Sequence, residues 1–205
     1  MPGQTLTTEA FVIEKRPPTD AFQGFGLFSP EHGNLLALQR MPRKPSGTHV
    51  APDLFDDLSV MLESSNQGRS WFVREARVLT RRSSIGRSYD SLRFASALAA
   101  VISRNPVHEE SREAVTRLLR TGFDAFCTAA RPDVVYLKSL YLFARDEGYP
   151  VKQEWMPSLS EADRPAAASV LNRPLDGQEA SAEAVERLRH SLERYLASST
   201  DILIP

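Results

Sequence analysis

The sequence predicts an α+β protein in which a five-stranded β-barrel comes first and an all-helical domain second. Two features along the chain point to this. Up to about residue 80, apolar and polar residues alternate in short runs closed by proline, glycine and asparagine, which is the two-residue period of half-buried strands. Beyond that point the apolar spacing lengthens to three and four, the period of amphipathic helices. The boundary is placed at 82/83, giving a barrel domain of residues 1–82 and a helical bundle of residues 83–205.

Residues 8–14, with Phe11, Val12 and Ile13, make a first strand that Pro17 and Pro18 end, because proline cannot donate to a sheet ladder. Residues 21–46 are the most informative stretch. Phe22, Gly24 and Gly26 alternate with Gln23, Phe25 and Leu27, and further on Leu36 and Leu38 alternate with Leu35, Ala37 and Gln39. The six residues between them, Ser29-Pro30-Glu31-His32-Gly33-Asn34, supply a turn in which Gly33 or Asn34 takes positive φ. A basic loop follows, with Arg40, Arg43 and Lys44. Residues 54–62 form a fourth strand with Leu54, Asp56, Leu58, Val60 and Leu62 on one face, and residues 71–79 a fifth. Five short strands in about 80 residues suggest a closed or nearly closed barrel, which hides strand edges. An SH3-like barrel is the competing architecture.

In the second part, Asp90 or Ser91 caps a helix carrying Phe94, Ala95, Leu98, Val101 and Ile102, which Asn105-Pro106 stops. Residues 109–129 form a second helix, with Val115, Leu118, Leu119, Phe123, Phe126 and Cys127 on its apolar face. A third begins at Pro132-Asp133, carries Val134, Leu137, Leu140, Tyr141 and Ala144, and ends at Gly148. A short helix over 158–170, begun or interrupted by Pro165, precedes a last one over 181–197 with Val185, Leu188, Leu192, Tyr195 and Leu196.

The net charge of −1 hides a mild asymmetry. Residues 1–95 carry 12 Lys/Arg against 10 Asp/Glu, and residues 96–205 carry 13 against 16. A polyanion site therefore has to come from local clustering rather than from overall charge. The single cysteine, Cys127, excludes an internal disulfide framework and a multi-cysteine zinc site, and its helical apolar surroundings predict core packing. A reducing cytoplasm is the simplest compartment. No run approaches the roughly 20 apolar residues of a membrane span, so no membrane association is expected.

The barrel domain and its exit hold clustered cations: Lys15 and Arg16 at the end of the first strand, Arg40, Arg43 and Lys44 after the third, and Arg74, Arg77, Arg81, Arg82 and Arg87 on and after the fifth. Lys/Arg contacts to phosphate supply sequence-independent nucleic-acid affinity, and exposed aromatics add base stacking. Phe22, Phe25, Phe28, Trp71 and Phe72 are available, although alternation sends about half of them into the core. The competing reading is that these charges simply solvate the surface. Enzymatic signals are weak. Histidines at 32, 49, 108 and 190 form no ligand spacing, Ser64-Ser65 and Ser83-Ser84 lack a nucleophile elbow, and Gly24-Phe25-Gly26 lacks the rest of a phosphate loop. Asp56-Asp57 alone does not make a Mg²⁺ site. No catalytic residue, metal or cofactor is expected.

Taken together, Thr8 to Ile13 leading to Arg16-Pro17, the Leu27-Phe28-Ser29-Pro30-Glu31-His32-Gly33 hairpin, Lys138 to Ala144 running into Glu147-Gly148-Tyr149-Pro150, and the closing Leu188 to Leu196 segment resemble the RecO-type DNA repair and recombination mediators. The resemblance spans nearly the whole chain through short motifs. It implies an amino-terminal OB-fold and a helical domain, binding to single- and double-stranded DNA, strand annealing, and loading of recombinase onto DNA coated with single-strand-binding protein, together with a RecR-like partner. It also implies a cytoplasmic, nucleoid-associated location and no nucleotide consumption. Arg16, Arg40, Arg43 and Lys44 fall at the family's basic strand ends and loop. Two departures stand out. Many members carry a four-cysteine zinc module after the GYxP-like turn, whereas residues 151–158 here contain no cysteine, and the loop after the third strand is less basic than is usual in the family. A protein-interaction adaptor in repair or replication, with little DNA affinity of its own, is the alternative.

Overall fold

The computed structural model describes residues 4–41, 51–64 and 68–205. The chain divides into two compact units, Met1–Arg82 and Ser83–Pro205. The first holds strands β1 (Gln4–Lys15), β2 (Phe22–Ser29), β3 (Gly33–Arg40), β4 (Asp57–Ser64) and β5 (Trp71–Thr80), joined in the order β1-β2-β3-β5-β4 as a closed barrel. β1 is longer than the sequence predicts because it serves two neighbours. Gln4 to Phe11 pair with β4, and Phe11 to Lys15 pair with β2, with a bulge between Val12 and Glu14 where it turns from one to the other. The closing seam is parallel and short: Ala37 lies beside Trp71 and Leu38 beside Phe72.

Alternation delivers Ala10, Val12, Phe25, Leu27, Ala37, Leu58, Val60, Leu62 and Trp71 to one interior cluster. At the hairpin, Gly33 takes φ +66°, the left-handed value the turn requires. Thr8 and Ser29 hydroxyls meet at 2.7 Å, and both bond the Glu31 carboxylate. The Thr8 bond is the chief cause holding Glu31 below the ordinary carboxylate range. A depressed carboxyl contributes stability that is present above the unfolded value, 4.5 here, and is lost as pH falls through the lower folded value. Urea midpoints should therefore drop less steeply on acidification below that point in Glu31→Gln than in the parent; identical acid limbs would refute this role.

The expected strand over 54–62 starts later. Residues 54–56 form a turn with Phe55 at φ +70°, and Asp56 is not in the strand's apolar row. Its carboxylate, 1% exposed as a residue, accepts the Asp53 N–H at 2.9 Å and an Arg81 N–H at 2.9 Å. A short acidic side chain that bonds nearby backbone competes with the ladder, which is why the strand begins at Asp57.

The second unit contains α1 (Tyr89–Arg104), α2 (Arg112–Thr128), α3 (Pro132–Asp146), α4 (Trp155–Ser158), α5 (Asp163–Asn172) and α6 (Ala182–Ser199). α3 is its centre, burying Val134, Val135, Tyr136, Leu137, Leu140, Phe143 and Ala144 while packing on α1, α2 and α6. The cap of α1 is Ser88, whose hydroxyl accepts the Ser91 N–H, rather than Asp90 or Ser91. Residues 109–111 form a tight 3-10 turn ahead of α2. The short helix expected over 158–170 starts later, as α5 at Asp163, whose N–H is accepted by Ser160 Oγ at 3.1 Å, with Pro165 in its first turn, and the separate turn of α4 precedes it. Trp155 is fully buried and donates to Ser191 Oγ at 3.1 Å. Cys127 is half-buried rather than a core residue, and lines a groove with Ser84, Arg87 and Phe126. Asn105 clasps the carboxy-terminal tail, donating to Leu203 O at 3.0 Å and accepting its N–H at 2.8 Å, while Ile202 is buried. No described helix is long and apolar enough to cross a membrane.

Candidate nucleic-acid interface

The register of β2 and β3 sorts the hairpin into two faces. Phe25 opposite Ala37 and Leu27 opposite Leu35 point inward, so Phe22 opposite Arg40, Gly24 opposite Leu38 and Gly26 opposite Leu36 point outward. Across the parallel seam, Leu38 stands beside Phe72, which places Phe72 on the same outer face. There the Phe22 and Phe72 rings meet edge to face, with centroids 5.7 Å apart. Both are half-buried, whereas Phe25, Phe28 and Trp71 are buried. Of the five aromatics read from the sequence, these two remain at the surface.

β1 adds its carboxyl-terminal end to this face. The Arg16 N–H donates to Gly24 O at 3.0 Å, so Arg16 lies opposite Gly24, and Glu14 lies opposite Gly26. The glycines matter because they leave the centre of β2 bare. Arg16 Cβ and Cδ lie 3.4 Å from where a Cβ on Gly24 would be, and Leu38 lies at 3.7 Å from the other side. Arg16 Nη2 is 3.3 Å from Glu14 Oε2. On β5, Arg74 follows Phe72 by two residues and bonds Glu63, which itself pairs with Phe72 in the ladder. That bond raises the Arg74 pKa further above its ordinary value. Arg40 is exposed at the end of β3, and its side chain makes no hydrogen bond or ion pair to a described residue.

The structure thus brings together Arg16, Arg40 and Arg74 around Phe22, Leu38 and Phe72. Other cations expected at the interface lie elsewhere. Arg77 is exposed further along β5, opposite Ser59 of β4. Lys15 has the inward parity of Phe25 and sits at the barrel mouth, bonded to Asp53 Oδ1 at 2.9 Å. Together with Gln23, Gln39, Arg40, Met41 and Pro52 it lines a small, largely apolar cavity of about 240 Å³. Arg81 donates to Ala51 O at 2.8 Å and to Asp56, which ties the loop to the barrel. Arg82 is only 4% exposed, with Nη1 2.9 Å from Phe55 O and its guanidinium 5.7 Å from the Phe11 ring centroid, so it offers no cation at the surface. Arg43 and Lys44, and with them most of the basic loop, lie outside the described residues, as does His49.

Glu14 and Glu63 join this face as well, and no motif in the sequence marks them as site residues. For Glu14 the signal is the shared parity of Gly24 and Gly26 with Phe22, which marks a bare outer strip for the neighbouring strand to cover, whereas Glu63 follows from the β4–β5 register. Among the described residues no group of three or more His, Cys, Asp or Glu is placed to hold a metal ion. No family model matches the chain, and no curated protein matches it either.

Proposed function

We propose that the barrel is an OB-fold and that its β2–β3–β5 outer face binds single-stranded DNA in a recombination mediator of the RecO kind. The observation that carries this reading is the coincidence, on one face, of two surface aromatic rings 5.7 Å apart with Arg16, Arg40 and Arg74. Rings offer a sequence-tolerant stacking platform and arginines follow the backbone, while the strand order and the use of the strand 2–3 face support the OB assignment. The protein acts by neutralising and holding strands, single or paired in a duplex, without turnover, and works beside DNA in the nucleoid. Its RecR-like and single-strand-binding partners dock on the helical unit. There, a groove of about 520 Å³ presents Lys138, Arg145 and Lys152 around Tyr141, Leu142 and Met156, a charge pattern suited to an acidic partner segment.

Fluorescence anisotropy with a labelled oligonucleotide across a salt series tests the reading. The parent should bind with strong salt dependence, and the Arg40, Arg43 and Lys44 triple alanine should lose up to about two units of the log–log salt slope, since each lost phosphate contact removes about 0.7 for single strands. Equal binding by the triple variant would overturn the site; no binding by the parent at low salt would overturn the function. The near-neutral charge of −1 favours the second reading, an adaptor with little DNA affinity, which predicts partner capture without oligonucleotide binding.

A further inference from the structure

The outer face carries carboxylates among its cations, and their placement follows from the backbone. The bulge between Val12 and Glu14 resets the β1–β2 register so that Glu14 stands opposite Gly26. A Cβ on Gly26 would lie 2.8 Å from Glu14 Cβ and 3.0 Å from Glu14 Oε2, so the Glu14 side chain lies across the bare glycine strip. Arg16 covers the neighbouring glycine, and the two meet at 3.3 Å through one guanidinium nitrogen, with side chains 48% and 40% exposed. An exposed pair with a single contact is weak and exchanges readily for another anion. Glu63 holds Arg74 in the same way at the β4–β5 edge of the face. Of the three arginines gathered there, Arg40 alone has no carboxylate partner among the described residues.

We propose that Glu14 is a resident anion of this interface: it occupies Arg16 in the free protein and releases it to the phosphate of an incoming strand, and so sets how tightly, and with what salt dependence, the face holds nucleic acid. The inference rests on the single-strand reading of this face. A phosphate arriving at Arg16 must displace a carboxylate already in place, so part of the cation's attraction is spent on that exchange. The remaining grip is weaker than the arginine content alone would give, and one side chain tunes it. Glu14→Gln keeps the shape that lies across Gly26 while removing the charge.

The experiment measures anisotropy of a labelled oligo-dT against the parent, Glu14→Gln, Arg16→Ala and the double variant, each across a salt series, with thermal melts confirming that all are folded. Glu14→Gln should bind about three- to tenfold tighter, and its log–log salt slope should steepen by up to about 0.7, because no freed carboxylate then takes up a cation in place of those the strand releases. The gain should vanish when Arg16 is alanine, since the two residues then couple in the double-mutant cycle. Equal affinity and slope for the parent and Glu14→Gln would overturn the inference while leaving strand binding intact. A gain that survives in the Arg16→Ala background would also overturn it, because charge removal alone would then explain the effect. No oligo-dT binding by any of the four proteins at low salt would overturn the single-strand reading, and the inference with it.

Discussion

Phe22→Ala/Phe72→Ala is expected to bind a labelled single strand roughly 10- to 100-fold more weakly than the parent, since each stacked base is worth about 1–3 kcal/mol and the ring pair forms one platform. The platform exists because two separate geometric facts coincide. Phe22 shares the outward parity of Gly24 and Gly26, and the two-residue parallel seam places Phe72 beside Leu38. Each ring supports the other edge to face, so the single variants should each lose much of the effect and the double less than their sum. The salt slope separates this loss from that of the arginine variants. Removing a ring releases no counterion, so the slope should stay at the parental value while the whole curve shifts to weaker binding. Half-buried rings also contribute some barrel stability, and the affinity must therefore be measured at a temperature where melts show the variant folded. Unchanged affinity in a folded double variant would remove stacking from the site.

How much of this was legible in the sequence depends on what each residue's placement required. Period alone is enough to separate Phe25 and Leu27 from Phe22, and to put Leu58, Val60 and Leu62 on one face, because a two-residue repeat holds within any strand. Period does not say which strands meet. That Phe72 stands beside Leu38 depends on a parallel seam joining segments more than thirty residues apart, and that Glu63 reaches Arg74 depends on the register of the antiparallel β4–β5 pair. Asp56 shows the opposite failure. Its spacing fits the strand row, yet its carboxylate does better by taking the Asp53 N–H and Arg81 than by standing among leucines. Ser160 delays the helix expected from residue 158 by the same local competition, its hydroxyl taking the Asp163 N–H where α5 begins. The cations were the least legible group. A run such as Arg74, Arg77, Arg81 and Arg82 looks uniform in sequence, but the fold spreads it over a surface ion pair, an exposed strand position, a loop brace and a buried contact. For long charged side chains, burial is decided by the chain that arrives from elsewhere.

Arg82→Ala is expected to destabilise the barrel unit by about 2–4 kcal/mol, combining the loss of a buried charged hydrogen bond with the cavity left behind, while leaving strand affinity per folded molecule unchanged. The guanidinium donates to the carbonyl of Phe55, a residue at φ +70° whose own N–H is bonded to Val12 O at 2.9 Å. That turn holds a backbone conformation that a bulky side chain rarely adopts, so it persists only where its surroundings fix it. Removing Arg82 strips the carbonyl of a buried donor and leaves the Phe11 ring without the cation over its face. Arg82→Met restores the volume but not the bond and should fall between the two proteins. The two tryptophans make the measurement specific, since Trp71 lies in the barrel core and Trp155 in the helical unit. In a Trp155→Phe background, urea unfolding followed by fluorescence reports the barrel alone. Arg40→Ala, with its exposed side chain, should show the reverse pattern of intact stability and weakened binding. If Arg82→Ala instead kept its urea midpoint and lost affinity, the guanidinium would be a ligand contact that turns outward on binding, and the division of the arginines into structural and interface groups would have to be redrawn.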